Sequence, residues 1–158
     1  MGLRFPSQEH GECFFVTTTF LDWRPHGSIP GFYEDLVESL RFRLDEYSAG
    51  LAGYVLMPSH VYLVVFINGI QLSGMMRDFK KYIGQKIATD RGINGGIWMP
   101  RYDRVAIWSE EVMRTKPGYI HHNPVKAGFV AAAADWRWSG ACDYLTDGKG
   151  PLPVWKNW

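Results

Sequence analysis

The sequence has few cysteines and no long apolar run. Its 158 residues include two cysteines, Cys13 and Cys142, far apart and outside any CxxC pattern. That spacing excludes a disulfide framework and a zinc knuckle, and it leaves two free thiols of the kind a reducing cytoplasm maintains. No stretch is long and apolar enough for a membrane span, and residues 1–9 lack the apolar segment of a signal peptide. The expectation is a cytoplasmic protein with no membrane partner. Charge of one sign is also missing: the formal net charge is +1, so any nucleic-acid surface has to be local. Internal repeats and low-complexity segments are absent. Aromatic residues are abundant, 15% of the chain with seven tryptophans. The length suits one domain, 1–158, with a core over about 11–144 and a tail over 145–158.

Around 53–67 the chain reads GYVLMPSHVYLVVFI. Two strands, 54–57 and 60–67, are expected to meet at Pro58-Ser59, since proline has no N–H for a ladder. In the second strand Val61, Leu63, Val65 and Ile67 share an aliphatic face, which must meet a core. His60 and Tyr62 begin the other face and present nitrogen and oxygen two residues apart. That pair suits a metal site, although a lone histidine at a strand entrance is more often a hydrogen-bonded structural residue.

Upstream, residues 1–11 read as a polar lead. CFFVTTTF over 13–20 is a strand by β-branched and aromatic content. Residues 21–30 are a loop, and 31–49 an amphipathic helix with Gly50 as its C′ residue. Downstream, 71–90 carries a stripe of Leu72, Met75, Met76, Phe79, Ile83 and Ile87. Arg77, Lys80, Lys81 and Lys86 take its other faces, either as a solvated surface or as phosphate contacts. A Gly-rich break at 92–96 precedes a fourth strand within 98–107. Ser109 caps a last helix, which Pro117-Gly118 is expected to interrupt. The order β, α, β, β, α, β, α predicts an α+β fold: a ferredoxin-like split βαβ, an antiparallel sheet with helices on one face. Tyr119, His122 and Asn123 stand at i, i+3 and i+4, on one helical face. They suit packing and capping, or a tyrosine nucleophile beside a metal.

YVLMPSHVYLVV and YIHHNPVKAGFV, in this order, resemble the single-tyrosine HUH transposases, most closely the REP-associated tyrosine transposases. FKKYIGQKI, IWMPRYDRV and DWRWSGACDY share the resemblance, which spans about 11–144. It implies a transposase that cleaves and rejoins hairpin-containing single-stranded DNA in a metal-dependent transesterification through a 5′-phosphotyrosine. Tyr119 matches the nucleophile. His60 matches the first metal-binding histidine, and Asn123 the polar residue completing a site for Mg or Mn. Where the second histidine belongs this chain has Tyr62, whose phenol is a weaker ligand at neutral pH; His121 or His122 is the available substitute. Arg104 stands where many relatives carry histidine. DNA contacts are expected from Arg77, Lys80, Lys81, Lys86, Arg101 and Arg104, with Tyr102 and the tail tryptophans as stacking surfaces. The alternative implied by Tyr62 is a relative that binds structured single-stranded DNA without cutting it. Both a monomer and a homodimer are compatible with the resemblance.

Overall fold

The structure, a computed structural model, describes residues 12–93, 96–156 and 158. The expected polar lead and the centre of the Gly-rich break lie outside the described residues.

Four strands form one antiparallel sheet: β1 (Cys13–Thr19), β2 (Gly50–Leu56), β3 (His60–Phe66) and β4 (Asp103–Ala106). They lie in the order β2-β3-β1-β4, the ferredoxin-like arrangement that the element order predicts. Every neighbouring pair is antiparallel. The β2–β3 connection is the tight Pro58-Ser59 turn, closed by the Met57 amide donating to the His60 carbonyl at 2.8 Å.

Helices α1 (Phe32–Glu46) and α2 (Gly69–Arg91) pack against each other and cover one face of the sheet. Their apolar stripes meet Phe14, Val16, Leu63 and Val65, all fully buried. Asn68 starts α2, its side-chain oxygen accepting from the Gln71 amide at 2.9 Å, as a helix N-cap should. The end of α1 differs from the expectation. Ser48, not Gly50, adopts the left-handed conformation, with φ of 51°. Its amide donates to Asp45 and the Ala49 amide to Leu44, the paired bonds of a Schellman termination. Gly50 is thereby freed to begin β2.

Helix α3 (Glu110–His121) crosses the opposite face, packing on β2 and β3. The expected break at Pro117-Gly118 does not occur, and α3 runs through Pro117. Proline removes one ladder bond, and packing compensates. Pro117 is buried against Gly53, where an added Cβ would lie 3.2 Å from the proline Cβ. Met113 and Ile120 complete the interface with Ala52, Val55, Met57 and Val64. Two short helices follow, α4 (Asn123–Lys126) and α5 (Ala141–Leu145).

The segment after α4 runs along the free edge of β2. The Leu56 amide donates to the Trp138 carbonyl at 2.8 Å, Gly140 to Tyr54 at 3.0 Å, and Trp155 to Leu51 at 2.8 Å. The Tyr144 hydroxyl donates to the Ala52 carbonyl at 2.6 Å. The Trp136 indole donates to the Leu56 carbonyl, and Trp138 stacks on Tyr33. These two tryptophans are structural plugs. Among the described residues no helix is long and apolar enough to cross a membrane.

Candidate functional site

The face of the sheet turned away from α1 and α2 carries the polar side chains. Alternation puts His60 and Tyr62 of β3 on it together with Thr17 and Thr19 of β1, which they pair across the ladder. Asp103 of β4 pairs with Thr17 and joins them. The His60 and Tyr62 rings meet edge to face, centroids 4.7 Å apart. Nδ1 of His60 is 3.0 Å from the Ser59 hydroxyl. When Nδ1 carries the proton and donates to that hydroxyl, Nε2 keeps a free lone pair. Burial lowers the His60 pKa, which holds the imidazole neutral and available as a donor to a cation.

Tyr62 behaves in the opposite sense. It stacks on Phe15 at 5.6 Å. Burial raises its pKa, and negative charge on Tyr119 raises it further. The phenol therefore stays protonated around neutrality, a weak ligand where an imidazole would be a strong one.

That coupling also locates Tyr119 near Tyr62. Tyr119 projects from α3, 55% exposed, and two ammonium groups approach its ring: Lys116 Nζ at 5.0 Å and Lys126 Nζ at 5.6 Å from the centroid. Lys116 also lies 4.6 Å over Phe15, which ties the helix to the β1 side of the face. The sequence reading missed both lysines. Their signal was present, because Lys116 stands three residues before Tyr119, on the adjacent helical turn. The Asn123 side-chain amide donates to the Ile120 carbonyl at 3.1 Å, which orients the group and leaves its oxygen as the acceptor.

The two histidines available as substitutes for the second ligand lie elsewhere. His121 is buried beneath α3, with Nε2 accepting from the Tyr54 amide at 3.4 Å, and burial pushes its pKa down to about 4. It anchors the helix. His122, expected on the Tyr119 face, instead lines a groove with Arg114, Tyr144 and Trp158. An offset of three residues swings it away from Tyr119 on one side as Asn123 swings on the other, and the helix ends at His121. Among the described residues no group of three or more His, Cys, Asp or Glu side chains is gathered around a metal-sized space.

The basic residues divide by face. Arg104 alternates with Asp103 and points to the α2 side, where its guanidinium donates to the Gly69 carbonyl at 2.7 Å and covers Phe14. Lys80 donates to the Met99 carbonyl beside Trp98 and Tyr102. Lys86 pairs with Asp90, and Arg77 with Asp78. Arg77 and Lys81 are exposed on α2, across the sheet from His60. Arg101 alone of the expected set lines the His60 side, in a cleft with Thr17, Thr19, Trp23 and Asp103.

The fold has a counterpart among solved structures. A REP-associated tyrosine transposase bound to a REP hairpin superposes with a TM-score of 0.74 over 92% of this chain and 86% of its own, at 23% identity. The chain shares the fold of that transposase. A candidate transposase from Deinococcus radiodurans R1 matches over 75% of this chain and 95% of its own, with a TM-score of 0.51 and 14% identity. No family model and no curated protein matches the chain. The transposase fold extends past the sheet and α1–α3 into the segment that borders β2, since the first match spans nearly the whole chain.

Proposed function

We propose that the chain is a tyrosine transposase of the REP-associated kind, acting on single-stranded DNA with hairpins. The observation that carries this reading is Tyr119: a half-exposed phenol, flanked by two lysines, on the sheet face that presents His60. In the step proposed, Tyr119 Oη bonds to phosphorus and the bond from phosphorus to the DNA 3′-oxygen breaks. The phenolic proton leaves to water, and the departing 3′-oxygen takes one up. The resulting 5′-phosphotyrosine conserves the ester, so a 3′-hydroxyl can reverse the step and reseal a strand. Helix α3 holds the nucleophile against the sheet, so that positioning contributes to the rate. Lys116 and Lys126 add positive charge where the phosphate gathers negative charge.

For a divalent ion, the donors are the neutral His60 imidazole and the Asn123 amide oxygen, with Tyr62 as a neutral phenol. That set would suit a hard cation such as Mg or Mn. Such an ion supplies charge neutralisation to the non-bridging oxygens. Arg101 is the proposed phosphate contact on this face.

The test is incubation with labelled palindromic hairpins in Mg or Mn, followed by denaturing gels. Wild-type protein should yield a covalent protein–DNA band, and Tyr119→Phe should lose the band while still retarding the hairpin on native gels. Retardation without a covalent band in either metal would instead establish the second reading, a hairpin-binding relative that does not cleave. The raised pKa of Tyr62 favours that reading.

A further inference from the structure

Between β1 and the approach to β4 lies an open cleft of about 470 Å³, within the range of small-ligand sites. Its walls include Thr17, Thr19, Trp23, Met99, Arg101 and Asp103. Three features of it stand outside the phosphoryl-transfer step.

The first is Trp23. Its indole is 60% exposed and meets the His60 ring edge-on, centroids 5.6 Å apart. Asp22 and Trp23 both adopt left-handed backbone conformations, φ 57° and 55°, which residues with side chains rarely take. Strained backbone that holds a large, mostly exposed aromatic ring is a feature that clusters at binding sites. An exposed indole beside His60 is a stacking platform for a base.

The second is Asp103. A carboxylate repels a DNA phosphate, so on a DNA-binding face it must look toward a base or a cation. Among the described residues it belongs to no group of three or more His, Cys, Asp or Glu side chains that could hold a metal ion. An ionised carboxylate offers only acceptors, two oxygens side by side. Guanine presents two adjacent donors on its Watson–Crick edge, N1–H and the N2 amino group. Adenine and cytosine present one exocyclic amino group there, and thymine one ring N–H.

The third is Arg101, exposed on the same wall. Among the described residues neither Arg101 nor Asp103 has an ion-pair or side-chain hydrogen-bond partner. Opposite charges thus stand unpaired on one wall of a cleft that Trp23 also lines, one suited to a base edge and the other to a phosphate.

We infer that this cleft takes one unpaired guanine nucleotide of the DNA strand, its base on Trp23, its Watson–Crick edge on Asp103 and a phosphate at Arg101. The neighbouring phosphodiester then falls at His60, so the cleft sets which bond is presented to Tyr119. The inference rests on the reading of the protein as one that binds single-stranded DNA.

The test is fluorescence anisotropy with short oligothymidylates carrying one central dG, dA, dC or deoxyinosine, the last lacking the N2 amino group. The dG strand should bind about tenfold tighter than the dA and dC strands, as expected for a paired contact to one base edge, with deoxyinosine between. Asp103→Asn should abolish the preference. Trp23→Ala should weaken all four strands, and Trp23→Phe should restore binding; both positions are exposed, and thermal melts verify folding. Equal affinity for the four strands, or a preference that survives both Asp103→Asn and Trp23→Ala, overturns the inference. The covalent-band assay on hairpins separates the two ideas. A band without guanine preference leaves the transposase standing and removes the cleft, whereas guanine preference without a band does the reverse. Failure to bind any single strand removes the cleft too.

Discussion

A side chain on Gly53 would press into Pro117: its Cβ would sit 3.2 Å from the proline Cβ and 3.4 Å from the proline Cα. Strand β2 is bare where α3 crosses it, and the helix that carries Tyr119 approaches the sheet as closely as it does for that reason. Gly53→Ala should therefore destabilise the protein by about 1–3 kcal/mol, the usual range for overpacking a tight interface. A urea titration gives the loss as a lower midpoint at unchanged slope. Covalent-band formation should fall with it, since the displaced helix misplaces the nucleophile. An unshifted midpoint would show that α3 sits more loosely.

His121 links stability to pH. Its pKa in the folded chain is about 4, against 6.5 for the free side chain, so below 6.5 the unfolded chain binds the proton first. Stability is complete above that value, declines as the pH falls through the window from 6.5 to 4, and levels off below it. The full effect is on the order of 3 kcal/mol. Burial lowers His26 and His60 as well, and they tilt the curve in the same sense. Replacing His121 by Gln should flatten the dependence, measured as the denaturation midpoint across that window.

Lys116 and Lys126 both border the Tyr119 ring. Lys116→Met should slow single-turnover band formation by about tenfold, less than loss of a buried oxyanion-hole donor produces because the lysine borders an exposed ring, with little change in hairpin affinity. Lys126→Met should act likewise, and Lys116→Arg should recover most of the rate. A drop in affinity with no drop in rate would make them simple phosphate contacts.

Tyr62→His would supply a second imidazole beside His60. The Mn concentration giving half-maximal band formation should fall by about tenfold, and no change would mean that Tyr62 is remote from any bound ion.

Much of this frame was legible because it follows from alternation and periodicity. The aliphatic odd positions of β3, the stripe of α2 and the Pro58-Ser59 turn each follow from local rules and reappear in the structure. What was not legible depends on partners distant in sequence. Pro117 reads as a helix break until Gly53 is seen to receive it. His122 shares a helical face with Tyr119 only in a loose count of residues per turn, and His121 becomes a buried acceptor only because the Tyr54 amide needs one. The charge cluster on 77–86 looked like a single surface, yet the sheet lies between it and His60. Arg104 and Asp103 are neighbours in sequence with opposite destinations, which alternation decides once the strand boundaries are known. Trp23 lies in a stretch whose two prolines mark it only as a loop.

The segment beyond α4 has a consequence for self-association. Outward-facing backbone groups of β2 at Leu51, Ala52, Tyr54 and Leu56 are engaged by that segment or by His121, which seals one margin of the sheet. The other margin is β4, only four residues long. Among the described residues two copies of the chain therefore have no long strand margin along which to zip, an arrangement that guards against the sheet-to-sheet aggregation that exposed margins invite. Removal of residues beyond 135 would unseal β2 and expose a strand margin of the kind that invites fibrous association.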